Sequence, residues 1–242
     1  YTSGSASATF TIYKANPTIA NFSINDQTYS YGRTFTIPQP SSNSPGVFLY
    51  ASSDRNIAAV SGNIVTILQV GTVTITATQA ETTHYTSGTI TASFTINKTT
   101  PSITNFNIEA RTYSSGGTFT LTQPSSNSPG AFSYASSNTN IANVSGSTVS
   151  ILQAGAVTIS ATQAETANYA STTVATSLVI NKATPIISGF SIPNQIYNSY
   201  GDTFIIPPPS SSSPSAFLYE ISNTAIAYVA GNTNTVTILQ TG

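Results

Sequence analysis

From Gly155 onward apolar and hydroxyl-bearing side chains alternate, with Val157, Ile159 and Ala161 on one parity and Thr158, Ser160 and Thr162 on the other. A two-residue period sends alternate side chains to opposite faces, so this stretch predicts a half-buried strand. The same alternation appears at Phe119 and Leu121, Phe132 and Tyr134, Val149 and Ile151, and Phe94 and Ile96. With "SITNFNI" from Ser102 and "NIANV" from Asn140, one stretch of 84 residues carries about seven strands. Turn residues separate them: Ser-Gly-Gly at Ser115, Ser-Pro-Gly at Ser128, Ser-Gly at Ser145 and Ala-Gly at Ala154. No stretch shows helical period. Short strands with a turn every eight to twelve residues predict an all-β sandwich.

The pattern recurs with a period of 84. Tyr1, Tyr85 and Tyr169 keep this spacing, as do Lys14, Lys98 and Lys182, then Pro17, Pro101 and Pro185, then Phe22, Phe106 and Phe190, then Tyr29, Tyr113 and Tyr197. The stretch "TFTIPQPSSNSPGVFLYASS" from Thr34 returns as "TFTLTQPSSNSPGAFSYASS" from Thr118 and, one residue late, as "TFIIPPPSSSSPSAFLYEIS" from Thr203. Lys-x-x-Pro segments read as short linkers that proline stiffens. The expected organisation is therefore a last strand of a preceding repeat at 1–14, whole repeats at 15–98 and 99–182, and a repeat at 183–242 that is incomplete at its C-terminal end.

The segment "YASSNTNIANVSGSTVSILQAGAVTISATQAETANY" from Tyr134 resembles the bacterial Ig-like (group 2, Big-type) tandem repeat family. The resemblance lies in Ser136, Ser137 and Asn138, in Val144 and Gly146, in Gly155, Ile159 and Ala161, and in the closing Tyr169. The third copy departs from it with "YEISNTAIAYVAGNTNTV". It implies tandem Ig-like β-sandwich domains in a linear array, as found in bacterial adhesins and invasins, phage tail and capsid decorations, and giant-virus fibres. It carries over no catalytic residue.

Composition narrows the function. Only 5% of the chain is charged and the formal net charge is -1, against roughly 25% charged residues in ordinary soluble domains. Ser and Thr together make up about a third of the residues, so the solvated surface is hydroxyl rather than ionic. Six basic residues spread over the length cannot track a phosphate backbone, and nucleic acid is not an expected partner. No apolar run reaches the roughly 18 residues of a membrane span. Cysteine is absent, which excludes disulfides and thiolate metal sites.

Candidate chemistry is thin. The carboxylates are Asp26, Asp54, Glu81, Glu109, Glu165, Asp202 and Glu220, of which only Glu81 and Glu165 recur with the repeat. Both lie in the loop before a periodic Tyr, where a solvated or turn-capping carboxylate is expected. They are also the repeated candidates for interdomain calcium, although the linkers carry Lys instead. His84 stands alone and its counterpart is Asn168, so no metal or catalytic His is expected. No catalytic, cofactor-binding or metal residue is assigned, and the chain reads as a non-enzyme. Lys14, Lys98 and Lys182 share parity with inward-facing positions, which raises an isopeptide crosslink beside the plainer reading of strand-end Lys at a domain joint. The aromatics Phe22, Phe35, Phe48, Tyr50 and Tyr85 read as core rather than sugar platforms. Sequons at Asn21, Asn97 and Asn143 lack counterparts at Asn105 and Asn181. The ladder Thr72, Thr74, Thr76 and Thr78 reads as a solvated strand face, not an ice-binding one.

The expected role is a structural segment of an extracellular, cell-surface or virion-surface stalk or fibre, with neighbouring repeats or protomers as partners. Uncharged sheet edges favour self-association into filaments. The alternative is an adhesin segment that binds a host glycan or receptor. The loop "QPSSNSPG" is identical at Gln39 and Gln123, which favours scaffold over reader.

Overall fold

A computed structural model describes residues 1–242 and consists of strands and turns without a helix. Two compact units form, Tyr1–Ile180 and Asn181–Gly242. The first unit holds two repeats, each with its own hydrophobic core.

The strands of the first repeat are β1 (Ile19–Ala20), β2 (Gln27–Thr28), β3 (Thr34–Thr36), β4 (Ser41–Ser42), β5 (Phe48–Ser52), β6 (Ala58–Ser61), β7 (Ile64–Ile67), β8 (Gly71–Gln79) and β9 (Gly88–Asn97). Seven of them build two sheets, in the orders β2-β9-β8-β5 and β3-β7-β6, while β1 pairs with β4. The second repeat has β10 (Ile103–Thr104), β11 (Arg111–Thr112), β12 (Thr118–Thr120), β13 (Ser125–Ser126), β14 (Phe132–Ser136), β15 (Ala142–Ser145), β16 (Thr148–Ile151), β17 (Gly155–Gln163) and β18 (Thr172–Asn181). Its sheets follow the same orders, β11-β18-β17-β14 and β12-β16-β15, with β10 on β13. With β3, β5, β6, β7, β8 and β9 taken as strands B to G, the orders β9-β8-β5 and β3-β7-β6 are G-F-C and B-E-D, the strand order of an Ig-like sandwich. The chain is thus all-β, built of tandem Ig-like β-sandwiches.

Burial follows the alternation read from sequence. In β17, Val157, Ile159 and Ala161 are buried and the intervening residues lean to solvent. Strand β8 pairs with β9 over nine residue pairs, bringing Val73 and Ile75 beside the buried Phe94 and Ile96. Phe35 packs edge-on against Phe94, with ring centroids 5.6 Å apart. Asn21 and Asn105 sit at φ 57° and 60°, and Gly189 occupies the matching place at φ 71°. A left-handed backbone is tolerated best by Gly and Asn, so Asn recurs here for a conformational reason whether or not a sequon follows it.

Residues 1–14 carry no strand, and Phe10 and Ile12 are exposed, whereas the matching Phe94 and Ile96 lie in the ladder of β9 on β8. One expectation meets a different outcome. The "SITNFNI" stretch shrinks to the two residues of β10, because Asn105 turns the chain out of the extended course. In the second unit, β19 (Ile187–Ser188) pairs with β21 (Ser210–Ser211), and β20 (Thr203–Ile205), β22 (Ala227–Val229) and β23 (Thr235–Ile238) form a three-stranded sheet. Phe217–Ile221, the counterpart of β5 and β14, is not a strand there, since no strand pairs with it as β8 and β17 pair with their partners. An apolar cavity of about 300 Å³ lies among Phe190, Ile192, Ile206, Leu218 and Val236.

Burial lifts the Tyr50 and Tyr134 hydroxyls above the ordinary tyrosine value of 10.0. A phenol with a raised folded pKa contributes stability that is complete below the unfolded value and is lost as pH rises through the folded one. Denaturant unfolding is therefore expected to give a flat stability up to about pH 10 and a decline above it. A double Tyr50→Phe, Tyr134→Phe variant is expected to decline less; an equal decline would assign the alkaline loss to other groups.

Candidate interaction site at the repeat joint

The linker into the second repeat is not a free tether. Thr99 N–H donates to the Asn168 carbonyl at 3.2 Å, and Ala170 N–H donates to the Thr99 carbonyl at 2.9 Å. These bonds bind the linker to the β17–β18 loop as a short parallel bridge. The loop closes on itself through Thr166 N–H to the Tyr169 carbonyl at 2.9 Å and Tyr169 N–H to Thr166 Oγ1 at 3.1 Å. Lys98 and Glu165 form an ion pair across the same junction. The first repeat builds the identical device: Ala15 N–H to the His84 carbonyl at 2.9 Å, Thr86 N–H to the Ala15 carbonyl at 2.9 Å, Tyr85 N–H to Thr82 Oγ1 at 3.1 Å, and the pair Lys14 with Glu81. Both ion pairs are partly solvated, and such pairs contribute about 0–1 kcal/mol, less in salt.

This linker-and-loop edge of the second repeat seats on the far end of the first. Val70 lies between β7 and β8, outside the ladder, and its N–H donates to Asn168 Oδ1 at 3.0 Å. The Tyr169 ring meets the Tyr29 ring edge-on, with centroids 5.7 Å apart and an interplanar angle of 78°, and packs against the core of the first repeat. Tyr29 is left 9% exposed. Burial raises the Tyr29 hydroxyl above the usual tyrosine value, neighbouring Tyr169 and Tyr31 add to the rise, and a hydrogen bond from Asn168 opposes it. One carboxamide thus accepts from the backbone of the preceding repeat beside its Tyr29 phenol.

The residues singled out from sequence fall into place around this joint. Glu81 and Glu165, the repeated calcium candidates, stay largely exposed and each pairs with the linker Lys, and no group of three or more His, Asp or Glu side chains is arranged to hold a metal ion. Asp26 accepts from Thr95 N–H at 2.7 Å, and Asp54 caps its own turn through Asn56 N–H at 2.8 Å. Asp202 closes a turn with Ser199 in the second unit. Phe22, Phe35 and Tyr50 pack on the first core, and Phe48 stacks on Tyr50. Thr72 and Thr74 spend their hydroxyls on Thr95 and Ser93 of the neighbouring strand, at 3.1 and 2.7 Å. His84 is exposed at the edge of its loop. Tyr29, His84 and Tyr169 are periodic or singular in the sequence, but no local pattern says that position 168 reaches a backbone donor 98 residues away.

No protein-family model matches the chain, and no curated protein matches it. Among solved structures it is similar to a three-Ig segment of titin, at 12% identity with a TM-score of 0.40, over 95% of this chain and 90% of that one. It is also similar to the immunoglobulin domains 1–5 of Sidekick-1, at 11% identity and a TM-score of 0.36 over 96% and 54% of the two chains. Drosophila N-cadherin EC1-4 is similar at 12% identity and a TM-score of 0.33, over 95% and 68%. The Ig-like assignment rests on the strand order itself.

Proposed function

We propose that the chain is a structural spacer, a run of Ig-like repeats of the group 2 bacterial type that belongs to an extracellular, cell-surface or virion-surface stalk or fibre. The observation that carries this reading is the joint: linker, loop and preceding repeat are tied by backbone bonds, an ion pair and an aromatic contact. A second feature fits load bearing. The first repeat is entered along β1 and β2 and left along β9, and β2 and β9 are parallel neighbours, paired at Gln27 with Ile96 and Thr28 with Asn97. Pulling on the two ends loads these bonds sideways and together instead of one after another. The role is mechanical reach and spacing, with like repeats as the partners and self-association through uncharged sheet edges.

Electron–electron distance measurements between spin labels on exposed sites of the two repeats test it. A narrow distribution is expected for the wild-type chain, and Tyr169→Ala, which removes the aromatic contact, is expected to broaden it. A wild-type distribution as broad as that of a flexible linker would sink the spacer reading.

A further inference from the structure

The four-stranded sheet of the first repeat ends on one side in the two residues of β2 and on the other in the five residues of β5. Strand β5 is paired only with β8. Two flanking bonds, Ala80 N–H to the Val47 carbonyl and Ser53 N–H to the Thr74 carbonyl, both 2.9 Å, set which residues face β8. By antiparallel alternation these are Val47, Leu49, Ala51 and Ser53, so the N–H and C=O groups of Phe48, Tyr50 and Ser52 point away from the sheet as open ladder sites. Soluble proteins block such an edge with charge, proline or a bulge. Gly46–Ser53 holds no charged residue and no proline, and the register of β5 on β8 runs through five consecutive pairs without a bulge. Val47 and Leu49 instead present apolar side chains on the outer face, 69% and 67% exposed. On the opposite sheet the edge strand β6 exposes only Ser61, and beside β14 the matching residues are Ala131 and Ser133.

A second copy of the same strand fits this edge. Identical faces carry identical charge, so an edge that pairs with itself has to be neutral, as this one is. Antiparallel pairing about a two-fold axis at Tyr50 sets Tyr50 against its own copy and Phe48 against Ser52, the residues whose backbone groups are open. The same register puts Leu49 opposite Ala51, a large side chain against a small one, and Leu49 diagonal to its own copy. Asp54 falls opposite Gly46, beyond the paired stretch. We propose that the free edge of β5 is a homophilic docking strand, through which two copies of the chain join the four-stranded sheets of their first repeats into one eight-stranded sheet. The inference rests on the spacer reading and names the edge that its self-association uses. One strand seam covers less than the about 800 Å² per partner of a standard stable interface, so a single pairing is weak and reversible and gains strength where many copies lie side by side.

Sedimentation equilibrium over a concentration series tests the seam. Leu49 lies outside the core, so changing it spares the fold. The wild-type chain is expected to show a monomer–dimer equilibrium. Leu49→Lys, which sets like charges diagonally across the seam, is expected to raise the dissociation constant about tenfold, while Ser133→Lys at the matching place on β14 is expected to leave it unchanged. A spin label on Ala51 is expected to show coupling between copies that Leu49→Lys removes. A wild-type chain that stays monomeric, a dimer that survives Leu49→Lys, or an equal loss in Ser133→Lys would each overturn the edge pairing. Any of these together with a narrow distance distribution between the two repeats would leave the spacer reading standing; a broad distribution with a dimer that Leu49→Lys dissolves would refute the spacer and keep the seam.

Discussion

Phe94→Ala is expected to melt the first repeat well before the second. Phe94 is 2% exposed on β9, inside the cluster that also holds Val65, Ile67, Val73, Ile75 and Ile96, and its ring takes the edge contact with Phe35. Truncating a buried Phe removes both its transfer free energy and the packing around it, about 3–5 kcal/mol. That is a large part of the roughly 5–15 kcal/mol that holds a small domain. The second repeat keeps a separate core around Val149, Ile159 and Leu178, so its transition should stay near the wild-type temperature. The small residual effect runs through Tyr169, which loses its seat on Tyr29 when the first repeat opens. Differential scanning calorimetry reads the result as one early and one unshifted transition. Two transitions that fall together would mean that the joint couples both cores into one cooperative unit.

How much of this was legible depends on whether a feature is local. Strands β8 and β17 could be read directly, because Val157, Ile159 and Ala161 line one sheet face by covalent geometry alone. Strand ends were less legible. Residues 102–108 read as one strand, yet a single left-handed Asn105 ends it after Thr104, and nothing in an alternation pattern reports φ. The joint was the least legible feature. A period of 84 says that Tyr29 and Tyr169 recur; it does not say that one repeat's Tyr29 faces the next repeat's Tyr169. Likewise Glu165 recurred as a loop carboxylate, and only the fold brings Lys98, 67 residues before it, to its side.

The identity of "QPSSNSPG" in two copies has a cause of the same non-local kind, and it leads to the second large effect. Gln163 is 1% exposed at the end of β17. Its Oε1 accepts from Ser126 Oγ at 2.7 Å, and its Nε2 donates to the carbonyls of Ser128 and Gly130 at 2.8 and 2.9 Å. Gln79 makes the same three bonds to Ser42, Ser44 and Gly46 in the first repeat. The loop is thus wrapped around one buried carboxamide. Its glycine is required as well, since a Cβ on Gly130 would lie 2.2 Å from the Ala164 carbonyl oxygen. Gln163→Glu keeps the shape and the acceptor but replaces the NH2 donor by oxygen, leaving a carboxylate against two carbonyl oxygens. An uncompensated buried charge costs about 3–5 kcal/mol, so at pH 7 the second repeat of this variant is expected to unfold at a much lower denaturant concentration than wild type. Facing carbonyls in a buried site, the introduced carboxyl has its folded pKa raised above the ordinary Glu value of about 4.3. Its penalty is therefore smallest below that value and grows as pH rises through the folded pKa. Protonated, the acid can donate to one of the two carbonyls and recover part of the network. Chemical denaturation at pH 4 and pH 7 checks this, with the gap to wild type expected to narrow at pH 4. A pH-independent gap would show that lost packing, not the hydrogen-bond inventory of the carboxamide, sets the stability of the loop.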